Sequence, residues 1–564
     1  MTQLALFLFL IVFFFYMKPT VMRQLAAMQE GGYLYEKFIT FMKTERKTEL
    51  LYFMVGCMAV NILLQRRLML WVFLTLHAAV LLFLPIISRK KRIKQAPAWD
   101  ARLVRIALVA LLLMLLVVFV LAAVFKTTFL WEVPFIMSFL GFMTDTWILL
   151  ANWITSPFEK IAGKKAAKAA LSEIQEENEE RAKRGEKPIA ILGVAGTYGK
   201  TAFTQILKHI LCGSLRVSVP DPAGAGTLAE AAEVLRTACR EKADLAIVEI
   251  LCRRVGDIRA FRDCVPLTLG VLISGTDRYM ETFLSRDRLA STLAEMEPGE
   301  GECAYRLLIN YDDELLRKRG ADKRFIRYGS WRGHELPQHL DVWAEDISVG
   351  LEGASFVLRD RDGLCLQISV PLTGRFTVLA AVAASTLALR LGVQAEELPI
   401  RFSNLSPWEG CPSFLPEGAW PDRLKRALAK PWEKEGEETK RPAPFRILDD
   451  PGESSVEGAR DTLSIFGDCK GYRVLVTRGL RGQGEREDEA NRILGRAAAR
   501  GVDSVIVIGK EKFSFIEDGA QRGGLSADDV HLAVDFRDAL RRLYAISEDV
   551  DGKCFALFLG RIGK

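Results

Sequence analysis

Between Ile189 and Thr204 the chain reads IAILGVAGTYGKTAFT, an apolar run followed by glycines spaced three apart and then by Gly199, Lys200 and Thr201. Residues of these types in this order can hold a phosphate chain. Ile189 to Leu192 predict a buried strand, and Gly193, Gly196 and Gly199 let the backbone curl. Thr201 to Leu211 predict a helix whose first amides and positive dipole end face an anion. Lys200 supplies a mobile ammonium for the outer phosphates of a nucleoside triphosphate, and the Thr201 hydroxyl is placed to hold Mg2+. Glycine also serves tight turns that bind nothing. Here strand, turn, Gly-Lys-Thr and helix coincide, and that coincidence favours a nucleotide site.

The elements that must position this loop are legible downstream. Leu245 to Ile250, Leu269 to Ile273 and Leu307 to Asn310 read as strands, and Leu228 to Arg240 and Asp287 to Glu297 as helices. Such alternation predicts a doubly wound α/β domain with its ligands at the carboxyl ends of the strands. Short alternating strands follow from Trp343 to Val370, then an apolar helix from Val378 to Leu391. Lys430 to Pro444 is charged and proline-containing and reads as a surface insertion. A second α/β unit runs from Phe445 onward, with Val474 to Thr477, Ser504 to Ile508 and Cys554 to Leu559 as strands. It predicts a smaller, Rossmann-like C-terminal domain.

The first 155 or so residues have a different character. Leu4 to Met17, Leu50 to Gln65, Leu68 to Ile87, Leu103 to Phe125 and Phe129 to Ile154 are apolar enough to be candidate membrane spans, the first two shorter than the ~20 residues a bilayer asks for. Basic loops, including Arg89, Lys90, Lys91, Arg92 and Lys94, predict a cytoplasmic side for the loops and for the soluble part. The expectation is therefore an α-helical membrane region of about five spans over residues 1–156, seated in the cytoplasmic (inner) membrane with the soluble domains in the cytoplasm, and contact with membrane lipid. A charged, alanine-rich stretch from Glu159 to Lys187 reads as a solvated helical linker, 157–187.

The net charge of +6 over 564 residues is modest and calls for no nucleic-acid partner. Ten cysteines without a C-x-x-C pair point to a reducing compartment, and five scattered histidines make a histidine metal cluster an unattractive reading.

Several segments in order resemble the Mur ligases, the ATP-dependent amide-bond synthetases of peptidoglycan assembly, and within them the MurF type. GVAGTYGKT at Gly193 to Thr201 resembles that family's phosphate loop, and VEILCRRVGDI at Val248 to Ile258 its V-E-M-G-A-R-x-x-G-D-I segment. YMETF at Tyr279 to Phe283 resembles H-L-E-x-F. NYDD at Asn310 to Asp313, PLTGRFT at Pro371 to Thr377 and LDD at Leu448 to Asp450 resemble further family segments.

The resemblance implies a central ATP-binding domain over 188–400 and a C-terminal domain over 401–564. It implies ATP held by Gly196, Thr197, Gly199, Lys200 and Thr201, Mg2+ held by Thr201 and Glu249, Asn310 at the adenine, and Asp450 reaching the ATP from the C-terminal domain. Lys200 and Glu249 are the implied catalytic pair. The implied substrates are a UDP-MurNAc-peptide carboxylate and a D-alanyl-D-alanine-type amine, joined through an acyl phosphate, with cell-wall synthesis proteins as further partners. Several positions depart from the family, among them Phe376-Thr377 and Gly410-Cys411, and two bear on its metal site. Its metal-binding histidine is matched by Tyr279, and its carbamylated lysine by Leu293. These departures keep two alternatives open, a ligase of the same fold for another acid and amine of the poly-glutamate or capsule type, and an ATP-binding pseudo-ligase with a regulatory or scaffolding role.

Overall fold

The computed structural model of the chain describes residues 18, 20–29, 32–35, 38–39 and 42, then 99–125 and 143–560 except 222–225, 298–305, 319–324, 334–336, 409–410, 422–424, 426–442, 451–454 and 551. The chain divides into two compact units, Met1–Ala162 and Gly163–Lys564.

In the first unit, helix α1 (Ala101–Phe125) and the opening of helix α2 (Thr144–Lys183) carry a small helical core. Leu103, Ile106 and Ala110 recur at i, i+3 and i+7, so they share one helical face. They are buried with Leu25, Met28, Phe38, Ile148 and Ala151. Asp100 caps α1 by accepting the Leu103 N–H at 2.7 Å, and the Tyr33 hydroxyl donates to the same carboxylate at 2.8 Å.

This unit corrects the membrane expectation. Among the described residues no helix is long and apolar enough to cross a membrane. The segment Leu103 to Phe125 is a helix with one face committed to a protein core, and Thr144 to Ile154 opens a 40-residue helix that runs on into charged residues. The inner-membrane placement that rested on those spans is withdrawn with them. Leu4 to Met17, Leu50 to Gln65 and Leu68 to Ile87 lie outside the described residues.

The second unit is built on two sheets. The first has nine strands in the order β2-β3-β1-β4-β5-β6-β7-β8-β9. Its strands are β1 (Ala190–Ala195), β2 (Val217–Ser218), β3 (Leu245–Glu249), β4 (Leu269–Leu272), β5 (Arg306–Asn310), β6 (Phe325–Ser330), β7 (Val342–Gly350), β8 (Gly353–Asp360) and β9 (Cys365–Val370). Pairing is parallel from β2 to β7, and antiparallel from β7 to β9. The inner strands β1, β3 and β4 are apolar up to Glu249 at the end of β3 because helices cover both faces, whereas β8 alternates buried and half-buried residues.

Helix α3 (Lys200–Leu211) covers one face, joined by a later helix, Arg375–Arg390. Phe203, Ile206 and Ile210 there share a core with Val378, Ala381 and Val382. Helix α4 (Leu228–Arg240) lies on the other face. The stretch read as a solvated linker is helical as far as Lys183, and Ala167, Ala170 and Ile174 are buried on that second face. Alanine is small enough to bring a helix close to a sheet, so a stripe that looks weakly apolar in sequence still docks.

The second sheet has six strands in the order β10-β11-β15-β12-β13-β14, namely β10 (Ser413–Phe414), β11 (Arg446–Asp450), β12 (Tyr472–Thr477), β13 (Ser504–Ile508), β14 (Val530–Ala533) and β15 (Cys554–Leu559). Every pair except β10–β11 is parallel. Most of the insertion Lys430 to Pro444 lies outside the described residues.

Candidate functional site

From β1 the chain passes through α3 to the β2–β3 side of the sheet, and after β3 it crosses to β4 on the other side. The carboxyl ends of β1, β3 and β4 therefore meet where the winding reverses, the place where open α/β sheets bind ligands. The glycine-rich loop lies there, and its shape follows from two glycines. Gly196 has φ +142°, and a Cβ on it would stand 2.9 Å from the Ser274 backbone; Gly199 has φ +81°. Only glycine meets both demands.

Ser274, just past β4, ties the loop down. Its carbonyl accepts the Thr197 N–H at 3.1 Å, and its hydroxyl oxygen accepts the Tyr198 N–H at 2.9 Å. Thr197 Oγ1 lies 2.9 Å from Thr276 Oγ1. Gly199 offers no side chain to cap α3, so the first-turn amides of that helix have no acceptor from the helix itself.

Three polar side chains converge beyond the loop. The Lys200 ammonium donates to the Gly196 carbonyl at 2.7 Å, and Thr201 Oγ1 donates to Glu249 Oε2 at 3.3 Å. Glu249 ends β3, in register with Val194 of β1, and so reaches across to the start of α3. Burial pushes the Glu249 carboxyl above its ordinary value, against the pull of Lys200 and Thr201. Burial likewise lowers the Lys200 ammonium, with the Glu249 charge opposing it. Thr201 and Glu249 thus present a hydroxyl and a carboxylate to one point, a donor set suited to Mg2+, which keeps most of its own water. Among the described residues no group of three or more His, Cys, Asp or Glu could hold a metal ion.

The other candidate residues stand further out. Asn310 ends β5, where its side chain donates to the Ile273 carbonyl at 2.9 Å and accepts the Asp312 N–H at 3.0 Å. This fixes the turn beside the loop. Asp450 ends β11 of the second sheet and accepts from the Thr462 hydroxyl at 2.8 Å. The structure therefore gathers Gly196, Thr197, Gly199, Lys200, Thr201 and Glu249 at one point. Asn310 is two strands from β1, and Asp450 is on the other sheet.

Tyr279 and Leu293, at the two departing positions, are both buried in the core on the second face. Leu293 belongs to helix α5 (Arg286–Ala294) and is packed among apolar side chains. Tyr279 has φ +65°, a left-handed conformation uncommon outside glycine.

Two groups at the site escaped the sequence reading. Tyr198 sits inside the loop and meets Phe376 edge-on at 4.7 Å, and both burial and the Asp450 charge hold its hydroxyl protonated. Arg253 and Arg278 bring their guanidiniums over the Tyr279 ring, 5.6 and 4.8 Å from its centre. The signal for Tyr198 was its place between two essential glycines. Arg253 falls on the arginine of the family segment matched by Val248 to Ile258, whereas Arg278 had no signal short of knowing where Tyr279 folds.

Residues 194–388 match the Mur ligase middle domain. Over 227 residues the chain is 26% identical to the UDP-N-acetylmuramoyl-tripeptide--D-alanyl-D-alanine ligase of Mycobacterium leprae, covering 39% of this chain and 43% of that one. The enzyme of the same description from Escherichia coli is 22% identical over 330 residues, 57% of this chain and 65% of its own. The chain thus spans about half the length of the curated relatives it matches. Among solved structures it is similar to MurF from Acinetobacter baumannii, with a TM-score of 0.56, 18% identity and coverage of 72% of this chain and 78% of that one. It is also similar to MurF ligase from Thermotoga maritima in complex with ADP, with a TM-score of 0.53, 16% identity and coverage of 70% and 81%. Residues 194–388 thus resemble the Mur ligase middle domain, and the chain is similar in sequence and fold to ligases of the MurF type.

Proposed function

We propose that this chain is an ATP-dependent, MurF-like amide ligase that joins a D-alanyl-D-alanine-type amine to the carboxylate of a UDP-MurNAc-peptide. The observation that carries the reading is the convergence of Lys200, Thr201 and Glu249 on the glycine-rich loop, within the segment that matches the family's middle domain.

The chemistry has two steps. An oxygen of the substrate carboxylate attacks the γ-phosphorus of ATP, the bond to the β–γ bridging oxygen breaks, and ADP leaves with the electron pair. The amine nitrogen then attacks the acyl carbon, the carbon–oxygen bond to phosphate breaks, phosphate leaves with that pair, and the nitrogen gives up its proton to form the amide. Catalysis of such steps is mostly positioning and charge neutralisation. In this reading the α3 amides and Lys200 hold the phosphates, and Lys200, now bonded to Gly196, turns outward to them. Thr201 and Glu249 would hold Mg2+, which neutralises charge on the outer phosphates when bound. Asn310 would flank the adenine, and Asp450 would approach from the second sheet.

The test is ligation by the full chain with Mg2+, ATP, UDP-MurNAc-tripeptide and D-alanyl-D-alanine, following phosphate release and peptide mass together. Phosphate released in step with a new amide is the expected result. Nucleotide binding with no amide would overturn the ligase reading in favour of a regulatory nucleotide-binding protein, and product only when glutamate replaces the dipeptide would move it to another ligase of this fold.

A further inference from the structure

We propose that Tyr198 is a positioning residue that ties the phosphate loop to the second sheet, so that a nucleotide held in the loop and the seating of the helix Val456–Phe466 favour one another. The proposal rests on the nucleotide reading of the loop and gives that loop a second task, the placing of Asp450.

The backbone of Tyr198 is held on both sides by one group. Ser274 Oγ accepts its N–H at 2.9 Å and donates to its carbonyl at 2.8 Å. The next residue, Gly199, stands at the start of α3, so a turn of the Tyr198 peptide also turns the amides that open that helix. Those are the amides assigned to the phosphates.

The ring leaves the loop and reaches elements of both sheets. It meets Phe376 edge-on at 4.7 Å, in the helix Arg375–Arg390 that covers the first sheet. Its far end points at Gly458 in the helix Val456–Phe466, which packs on the second sheet. A Cβ at Gly458 would stand 3.6 Å from the Tyr198 hydroxyl oxygen and 3.7 Å from Cζ, so the ring lies a methyl group's width from that helical turn.

The same helix face carries the other ties. Asp461, three residues on from Gly458, accepts the N–H of Arg375, the residue before Phe376. Thr462, four residues on, donates to Asp450 at 2.8 Å. One side of one helix therefore faces the tyrosine of the loop, the start of Arg375–Arg390 and the carboxylate of Asp450. Burial, and after it the charge of Asp450 and, more weakly, that of Asp461, raise the Tyr198 hydroxyl against the opposing charge of Arg278, so both carboxylates are within electrostatic reach of it. Elsewhere the second sheet meets the turn after β4. Gly484 lies against Met280, and the largely exposed Arg486 pairs with Asp277 at 3.4 Å, the kind of ion pair that contributes little. Neither of these contacts involves a residue of the phosphate loop. A contact shared by two sites couples them in both directions, so what the nucleotide does for the helix the helix does for the nucleotide.

The experiment is hydrogen exchange of the full chain, read by mass spectrometry, with Mg2+ and with or without the imido analogue of ATP. The wild type is compared with Tyr198→Phe and Tyr198→Leu. In the wild type the analogue should slow exchange in Lys200–Leu211 and also in Val456–Phe466, the latter by roughly fivefold or more, the low end of ordinary coupling between sites. Leucine fills the space beside the backbone but cannot reach Gly458. In Tyr198→Leu the analogue should therefore still slow Lys200–Leu211 while changing Val456–Phe466 by less than about twofold. Phenylalanine keeps the ring on Phe376 and should retain most of the wild-type effect.

Protection of Lys200–Leu211 without Val456–Phe466 in the wild type would overturn the proposal and leave the nucleotide reading intact, and that comparison needs no variant. A Tyr198→Leu protein in which the analogue still slows Val456–Phe466 by the wild-type factor would overturn it too, because Tyr198 would then be a structural brace and the coupling would run by another route. A wild type in which the analogue slows neither segment would remove the nucleotide reading together with the proposal.

Discussion

Lys200 is the residue through which burial, charge and loop shape act together. Its ammonium is pulled below its ordinary value by burial, supported by Glu249, and parked on the Gly196 carbonyl at 2.7 Å. A group so placed is preorganised for an anion at small cost. Lys200→Ala should lower any ATP turnover, or weaken ATP binding, by ~10²-fold or more, the scale for one preorganised charge donor; unchanged affinity and rate would remove the site assignment.

Glu249 gives a pH signature of definite sign. Its raised carboxyl keeps a proton in the folded protein at pH values where the unfolded chain has lost it. This residue's contribution to stability therefore falls as pH rises from the ordinary carboxylate range to the raised value, and is level above it. Mg2+ needs the ionised form, so its affinity should climb over the same window. Relative to Glu249→Gln, wild-type denaturation midpoints should drop across that window, and Mg2+ titrations should lose their pH dependence in the variant. A constant difference in midpoint would contradict the burial assigned to Glu249.

At the scale of elements, the part of α2 that belongs to the second unit is held by one arginine. Arg181 is almost wholly buried, and donates to the carbonyls of Lys242 and Ala243 at 2.8 Å each and to that of Lys187 at 3.3 Å. Glu177 and Asp244 balance its charge at 3.3 and 3.4 Å. With Ala167, Ala170 and Ile174 this makes the helix part of the domain built on the first sheet. Arg181→Met keeps the volume but leaves those carbonyls unsatisfied. It should cost about 2–4 kcal/mol in chemical denaturation, with the loss visible as faster hydrogen exchange from Gly163 to Lys183. A variant as stable as the wild type would show that the helix docks by its alanines alone.

At the scale of the whole second unit, the two sheets meet around the loop. Asp461 of the second sheet's helix Val456–Phe466 accepts the N–H of Arg375, whose neighbour Phe376 packs on Tyr198, and Arg486 reaches Asp277 at 3.4 Å. The departing positions also belong to this scale, because their neighbours come from many elements. Leu293 shares its core with residues of β1, β3, β5 and α4. A lysine there would bury a charge, so Leu293→Lys should lower stability by about 3 kcal/mol or more and leave metal affinity unimproved, measured by denaturation and by Mg2+ titration. Undiminished stability with a gain in amide synthesis would mean that the site has room for the missing ligand.

The amino-acid sequence alone determined whatever rests on neighbours in the chain. The glycines, Lys200 and Thr201 predict a phosphate loop because the curl and the helix start that follow are local. The strands at Leu245, Leu269, Ser504 and Cys554 were legible because buried parallel strands are short apolar runs. Apolar length, by contrast, carried the reading of residues 103–125 too far. Periodicity shows that a face is apolar, but only the fold shows that Leu103, Ile106 and Ala110 meet protein. Tertiary structure also decided the docking of the alanine-rich helix, the burial of Tyr279 and Leu293, and the meeting of Arg253 with Arg278. In each case the partners are distant in sequence, and their proximity follows from the order in which the strands are wound.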